Sequence, residues 1–178
     1  PIAAPSANIS GRPSPTKGIH VYHEMNNRVD GIIIGGDCTF GLESTVLDLT
    51  NDVPMILRPG SITKEDLENV IGHVNMDPAL EKKEDNIKAK APGMKYKHYS
   101  PNAEVFIVSG KTDDVANKIN ELVDNNSKER LKTAVMCLED NKNKYNCDTI
   151  VLGESLEEVA MNLFSSLISA DEKEYDIV

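Results

Sequence analysis

The chain contains no tryptophan, three phenylalanines and five tyrosines among 178 residues, so aromatic side chains make up only 4% of it. That excludes a core built on large rings; any core must come from Ile, Val and Leu, within an apolar share of 39%. The three cysteines, Cys38, Cys137 and Cys147, are odd in number and at no metal-ligand spacing. They are expected to be reduced thiols of a cytoplasmic protein rather than a disulfide framework. No apolar run approaches the ~20 residues of a membrane span, and no basic-plus-apolar leader opens the chain, so neither a membrane partner nor export is expected. Positive charge is scarce as well. Nineteen Lys and Arg stand against 29 Asp and Glu, and the net charge of -10 argues against a chain that chiefly grips a nucleic-acid backbone.

Hydroxyls, prolines and glycine crowd the start. The stretch PSANISGRPSPT, residues 5–16, cannot make a helix or a central strand, because proline lacks the backbone donor and glycine costs entropy. It is a loop, either a solvated connector or a polar lining for a ligand. Its neighbourhood holds a single carboxylate, Glu24, between Pro1 and Met25.

Further on, the β-branched run Gly31-Ile32-Ile33-Ile34-Gly35-Gly36 predicts a buried strand feeding a loop. Strands are predicted at 44–50 and 55–57, the second broken by Arg58-Pro59-Gly60. A helix follows with Thr63 as N-cap, Asp66 at the capping-box position and an Ile62–Leu67 staple. Leu67, Val70 and Ile71 share a face, and Gly72 ends it. Residues 81–86 have mixed charge without periodicity and are expected to be solvated.

From Glu104 the pattern alternates. Strands are predicted at 105–108, 133–138 and 149–152. One helix is capped by Thr112 and striped by Val115, Ile119, Leu122 and Val123. Another opens on the Ser155–Glu158 capping box and is striped by Leu156, Val159, Ala160, Leu163, Phe164 and Leu167. Residues 175–178 look like the opening of one more strand. Strand–helix alternation implies a small parallel, Rossmann-type sheet. No glycine-rich phosphate loop follows 105–108, which speaks against a dinucleotide site there.

Four phrases occur in order: APSANISGRPSPT, GDCTFGLESTVLDLT, ILRPGSIT and APGMKYKHYSP. Together they resemble the two-domain form of threonylcarbamoyl-AMP synthase. The fold this implies is α/β: residues 1–75 as the C-terminal part of a YrdC-like twisted-sheet catalytic domain, 76–103 as linker and lid, and 104–178 as a Rossmann-like domain. The resemblance also implies a fragment, with strands left unpaired and no full turnover by the 178 residues alone.

Members of that family condense L-threonine, bicarbonate and ATP, with Mg2+, to threonylcarbamoyl-AMP and pyrophosphate. The product passes to a downstream tRNA threonylcarbamoyl transferase; the acidic balance argues against direct tRNA binding. By resemblance Ser6 and Ser44 bind L-threonine, and Asn8, Ser14, Thr16 and Arg58 bind ATP. Tyr96, His98 or Tyr99 closes over the ATP from the linker. No catalytic side chain is singled out, and no metal ligands are expected. A guanidinium such as Arg58 suits phosphate because it is a rigid, permanently charged fork.

Other readings remain for individual residues. His20 and His23, three apart, are read as solvated histidines rather than metal ligands, since no third ligand is apparent. Cys38 after Asp37 is read as a small buried filler rather than a nucleophile. Two alternatives compete for the whole chain: a regulatory or nucleotide-binding module, and the YrdC-like domain of a carbamoyltransferase.

Overall fold

A computed structural model of the protein describes residues 5–80 and 100–178. The expectations for 81–86 and for Tyr96, His98 and Tyr99 lie outside the described residues. By their contacts the described residues fall into two compact units, 5–41 with 100–178 in one and 42–80 in the other. Both are mixed α and β.

The smaller unit is a three-stranded sheet and one helix. Strand β1 (Val46–Asp48) pairs antiparallel with β2 (Met55–Arg58), and β2 pairs parallel with β3 (Asn75–Met76). Ile56, Leu57 and Val74 are its buried apolar side chains, with Ile56 at 2% exposure and Val74 at 0%. Helix α2 (Lys64–Ile71) carries the predicted capping box in full: the Thr63 hydroxyl accepts from Asp66 N, and the Asp66 carboxylate accepts from Thr63 N. Those bonds hold the Asp66 carboxyl below its ordinary range. Gly72 closes the helix at φ 79, with its N–H donating to Glu68 O. The expected apolar face is not buried, since Val70 is 83% exposed and Ile71 is also exposed. Helix α2 is held by its ends instead: beyond the caps, the Glu68 carboxylate accepts from Val74 N.

In the larger unit, helix α1 (Gly18–Met25) follows the proline-rich loop. Helix α3 (Thr112–Lys128), strands β4 (Ala134–Leu138) and β5 (Asp148–Gly153), and helix α4 (Leu156–Glu172) come after. Strand β4 runs parallel to β5. Parallel bridges from Ile177 to Glu104 and to Thr133 add two further strand positions, so 175–178 does enter the sheet, between 104–106 and β4. A parallel sheet covered by helices needs apolar residues throughout its middle strands. Ala134, Val135, Cys137 and Ile150 are accordingly buried, with Phe164 and Ala170 of α4 and Val123 of α3. Tyr175 is buried too and donates its hydroxyl to Asp148 Oδ2 at 2.8 Å. Burial first, and that bond second, push its phenol up to about 12.

Four local expectations are corrected in this unit. The strand expected at 105–108 is reduced to an isolated bridge at Glu104 and one bond from Phe106 N to Val178 O, with Val105, Phe106 and Ile107 exposed. Residues 32–34 form no strand; Ile33 is 98% exposed and Ile34 62%. A β-branched run becomes a strand only when a neighbour takes its N–H and C=O groups, and no described strand does so. The N-cap of α3 is Lys111, with Thr112 already inside the helix. Leu156, the first residue of the α4 stripe, is 77% exposed, because the first turn of α4 projects past the buried cluster. The Ser155 cap itself is present: its hydroxyl accepts from Glu158 N, while the Glu158 carboxylate accepts from Glu154 N.

Candidate functional site

Loop 5–16 is ordered by its own short side chains. A turn runs from Ile9 to Arg12, closed by Arg12 N donating to Ile9 O at 3.1 Å, with Gly11 at φ 93 in its third position. That position requires a positive φ, which glycine adopts without strain. Asn8 packs its amide against the turn, Nδ2 donating to Ile9 O at 3.0 Å and to Arg12 O at 3.1 Å. Glu24 on α1 grips the turn from outside, accepting from Ile9 N at 3.2 Å and from Arg12 Nη1 at 3.1 Å. Ser100 N donates to Gly11 O.

Two polar atoms of this loop, Asn8 Oδ1 and Thr16 Oγ1, are buried without a hydrogen-bond partner among the described residues. Leaving such an atom unpaired costs about 1–3 kcal/mol, so each is a place where a ligand's donor or acceptor is favoured. Ser6 is exposed and Ser14 half-buried. Thr16 also lines a small cavity of about 90 Å³ with Lys17, Ile33, Gly36 and Cys38. Cys38 is exposed rather than the buried filler expected, because only its backbone is engaged, donating to Thr16 O at 2.8 Å.

A second cavity, about 250 Å³, lies among Arg12, His20, His23, Glu24, Asp171 and Glu172. His20 is buried, against the expectation of a solvated ring, and its Nδ1 accepts from Thr16 N at 3.4 Å. His23 is exposed, 3.8 Å from Glu172. Burial pushes the His20 imidazole below its ordinary value, and Lys17 and His23 add to this while Glu172 and Asp37 oppose it. A depressed folded value means that the unfolded chain takes up the proton first. The stability His20 contributes is therefore complete above about pH 6.5 and is lost as pH falls below it. We expect the urea midpoint to drop between pH 7.5 and pH 5, and His20→Leu to flatten that drop; an unchanged slope in the variant would assign the drop elsewhere.

In the smaller unit the structure brings Ser44 and Arg58 together. The Arg58 guanidinium donates through Nε and Nη2 to Ser44 O, at 3.2 and 2.9 Å, and through Nη2 to Ser44 Oγ at 3.1 Å. Glu43 Oε2 stands 3.6 Å from Nη2. Around them, segment 59–62 lies directly on 43–45. Ser61 N donates to Glu43 O, Thr45 Oγ1 donates to Ile62 O at 2.6 Å, and Gly60 leaves no room for a Cβ between the two segments. Ser44 thus presents a hydroxyl beside a permanently charged fork, on a backbone fixed from both sides. Among the described residues no group of three or more His, Cys, Asp or Glu lies together as a metal cage.

Comparison with known proteins follows these motifs. Residues 62–178 match the family described as threonylcarbamoyl-AMP synthase, C-terminal domain, and residues 1–60 match the one described as telomere recombination. The chain belongs to the threonylcarbamoyl-AMP synthase family. Relatives named threonylcarbamoyl-AMP synthase include one from Pyrococcus abyssi, 45% identical over 179 residues, and one from Bacillus subtilis, 41% identical over 181 residues. Each alignment covers 100% of this chain and 51% of the relative. One from Schizosaccharomyces pombe is 35% identical, over 100% of this chain and 47% of the relative. The chain thus spans about half the length of the curated relatives it matches. A crystal structure of P. abyssi Sua5 complexed with L-threonine superposes with a TM-score of 0.86 at 43% identity, covering 98% of this chain and 50% of that one.

Within this synthase family chain, sequence reasoning named Ser44 and Arg58 separately but not their contact or what holds them. Glu43 and Gly60 carry no motif of their own. Helix α1 was also missed, since its eight residues show no acidic first turn and no side-chain cap. Glu24 had one signal, its isolation as the sole carboxylate in the first 25 residues.

Proposed function

We propose that this chain supplies part of the substrate site of a threonylcarbamoyl-AMP synthase, which joins L-threonine, bicarbonate and ATP into threonylcarbamoyl-AMP with release of pyrophosphate. The observation that carries this is the pair of buried, unpartnered polar atoms in loop 5–16, Asn8 Oδ1 and Thr16 Oγ1. A solvated connector would wet them and a purely structural loop would pair them. Asn8, Ser14 and Thr16 are assigned to ATP and Ser6 to threonine. Ser44 is assigned to threonine beside Arg58, whose guanidinium faces the phosphates. The similarity to P. abyssi Sua5, crystallised as a complex with L-threonine, supports the threonine assignments.

Adenylyl transfer moves charge onto the departing pyrophosphate, so the protein's task is positioning and donation to oxygens. Magnesium and bicarbonate enter as co-substrates, the metal on the ATP. Residues 1–75 act as part of the catalytic domain, 76–103 as linker and 104–178 as the Rossmann-like part, with Tyr96, His98 or Tyr99 closing on ATP. The product goes on to a transferase that modifies tRNA, in the cytoplasm. Among the described residues no helix is long and apolar enough to cross a membrane.

The test joins this chain to the half of the P. abyssi relative that it does not match and supplies ATP, Mg2+, bicarbonate and L-threonine. Mass spectrometry should find threonylcarbamoyl-AMP, and Arg58→Ala should slow its formation roughly a hundredfold. Absence of product with ATP still bound would favour a nucleotide-binding module instead.

A further inference from the structure

We propose that Gly41 is a positioning residue: it seats a strap, residues 38–41, on helix α4, and the strap in turn holds Thr16 in place. This rests on the reading of Thr16 as an ATP contact. Gly41 N donates to Ala160 O at 3.1 Å, in the second turn of α4. A helix carbonyl spends one lone pair on its own ladder, and the second is open to such a donor. Gly41 is buried, and a Cβ there would fall on Met161 O and lie 2.6 Å from the Met161 carbonyl carbon. Its φ is outside the left-handed region, so the close approach, and not the backbone conformation, requires glycine.

Three residues before Gly41, Cys38 N donates to Thr16 O at 2.8 Å. Thr16 N donates to His20 Nδ1, so Thr16 is pinned on both sides, and its side chain is left to line the cavity of about 90 Å³. Cys38 takes its own position from downstream. Directly before the strap, Gly35 and Gly36 stand in open space, since a Cβ on either would meet nothing within 4 Å. Gly41 instead lies against helix backbone, which no side-chain rotation can clear.

Gly41→Ala therefore lifts the strap off α4. Segment 43–45 resists the shift, because it keeps its own bonds to 59–62 and to Arg58. The displacement falls on the Cys38–Thr16 bond, and Thr16 loses its place.

The kinetic test uses this chain joined to the half of the P. abyssi relative that it does not match. Gly41→Ala should raise KM for ATP about tenfold, the worth of one hydrogen bond, and leave KM for L-threonine within about twofold. A merely structural loss would lower kcat and leave both constants unchanged. In the 178-residue chain the Cys38 amide should exchange about tenfold faster in the variant, while the Ala134 amide, bonded to Ile177 O in the sheet, should not change.

Cys38→Pro removes the N–H at the other end of the strap and leaves the seat on α4 in place. It should raise KM for ATP by a similar factor, and adding Gly41→Ala should raise it no further, because both act on one path. Cys38→Pro serves alone if Gly41→Ala does not fold. An unchanged KM for ATP, additive effects of the two substitutions, or equal loss of protection at Cys38 and Ala134 overturns the inference and leaves the proposed function standing. No product from the unmodified joined protein overturns the synthase reading, and this inference with it.

Discussion

Gly60→Ala is expected to lower the thermal midpoint by roughly 4–10 °C and to separate Ser44 from Arg58. A Cβ at this position would fall on Glu43 O and Thr45 N and lie 2.5 Å from the Ser44 carbonyl carbon. All three are backbone atoms, so no side-chain rotation relieves the overlap, and forcing a methyl into such a contact costs about 1–3 kcal/mol or more. Segment 43–45 must then move away from 59–62. The Ser61–Glu43 and Thr45–Ile62 hydrogen bonds stretch, and the carbonyl that accepts twice from Arg58 shifts with them. The consequence for function is larger than for stability. In the joined protein Gly60→Ala should lose product formation at least as completely as Arg58→Ala. A midpoint within 1 °C of the unmodified chain, roughly what ~0.5 kcal/mol produces, would show that the cradle yields easily.

Phe164→Ala should cost about 3–5 kcal/mol in urea unfolding, while Leu156→Ala, eight residues earlier on the same helix, should stay within about 0.5 kcal/mol. Both lie in the stripe that helical spacing assigns to the core. Phe164 is 7% exposed, and truncating it opens a cavity; Leu156 is 77% exposed, and truncating it removes atoms that already face water. Similar costs for the two would mean that the first turn of α4 is covered in solution.

How far the fold is legible from sequence depends on which interactions make each element. The caps at Thr63 and Ser155 are local and both occur where the residues indicate; the reciprocal box is complete at Thr63, whereas at Ser155 the Glu158 carboxylate takes Glu154 N instead. Strands β4 and β5 are short runs between turn signals, β4 largely buried and β5 with Ile150 buried and Val151 exposed, and their expected spans agree to within about one residue with those observed. The run at 32–34 reads the same way and fails, because a strand also needs a neighbour, which local sequence does not specify. The α2 face fails for a related reason. Periodicity shows that Leu67, Val70 and Ile71 share a side, but burial requires something opposite them, and Val70 remains in water.

The candidate site divides along the same line. Sequence by itself determined the α/β class, the proline-stiffened loop at 5–16 and the family, because these rest on composition, local spacing and short motifs. Only the tertiary structure decided that Arg58 reaches Ser44 across 14 positions. It alone decided that Gly60 must lack a side chain for that approach, and that Glu24, 12 residues from Arg12, holds the 9–12 turn. Each of these is a contact between segments distant in sequence, and its direction and free valence exist only once the backbone has brought the partners within hydrogen-bonding range.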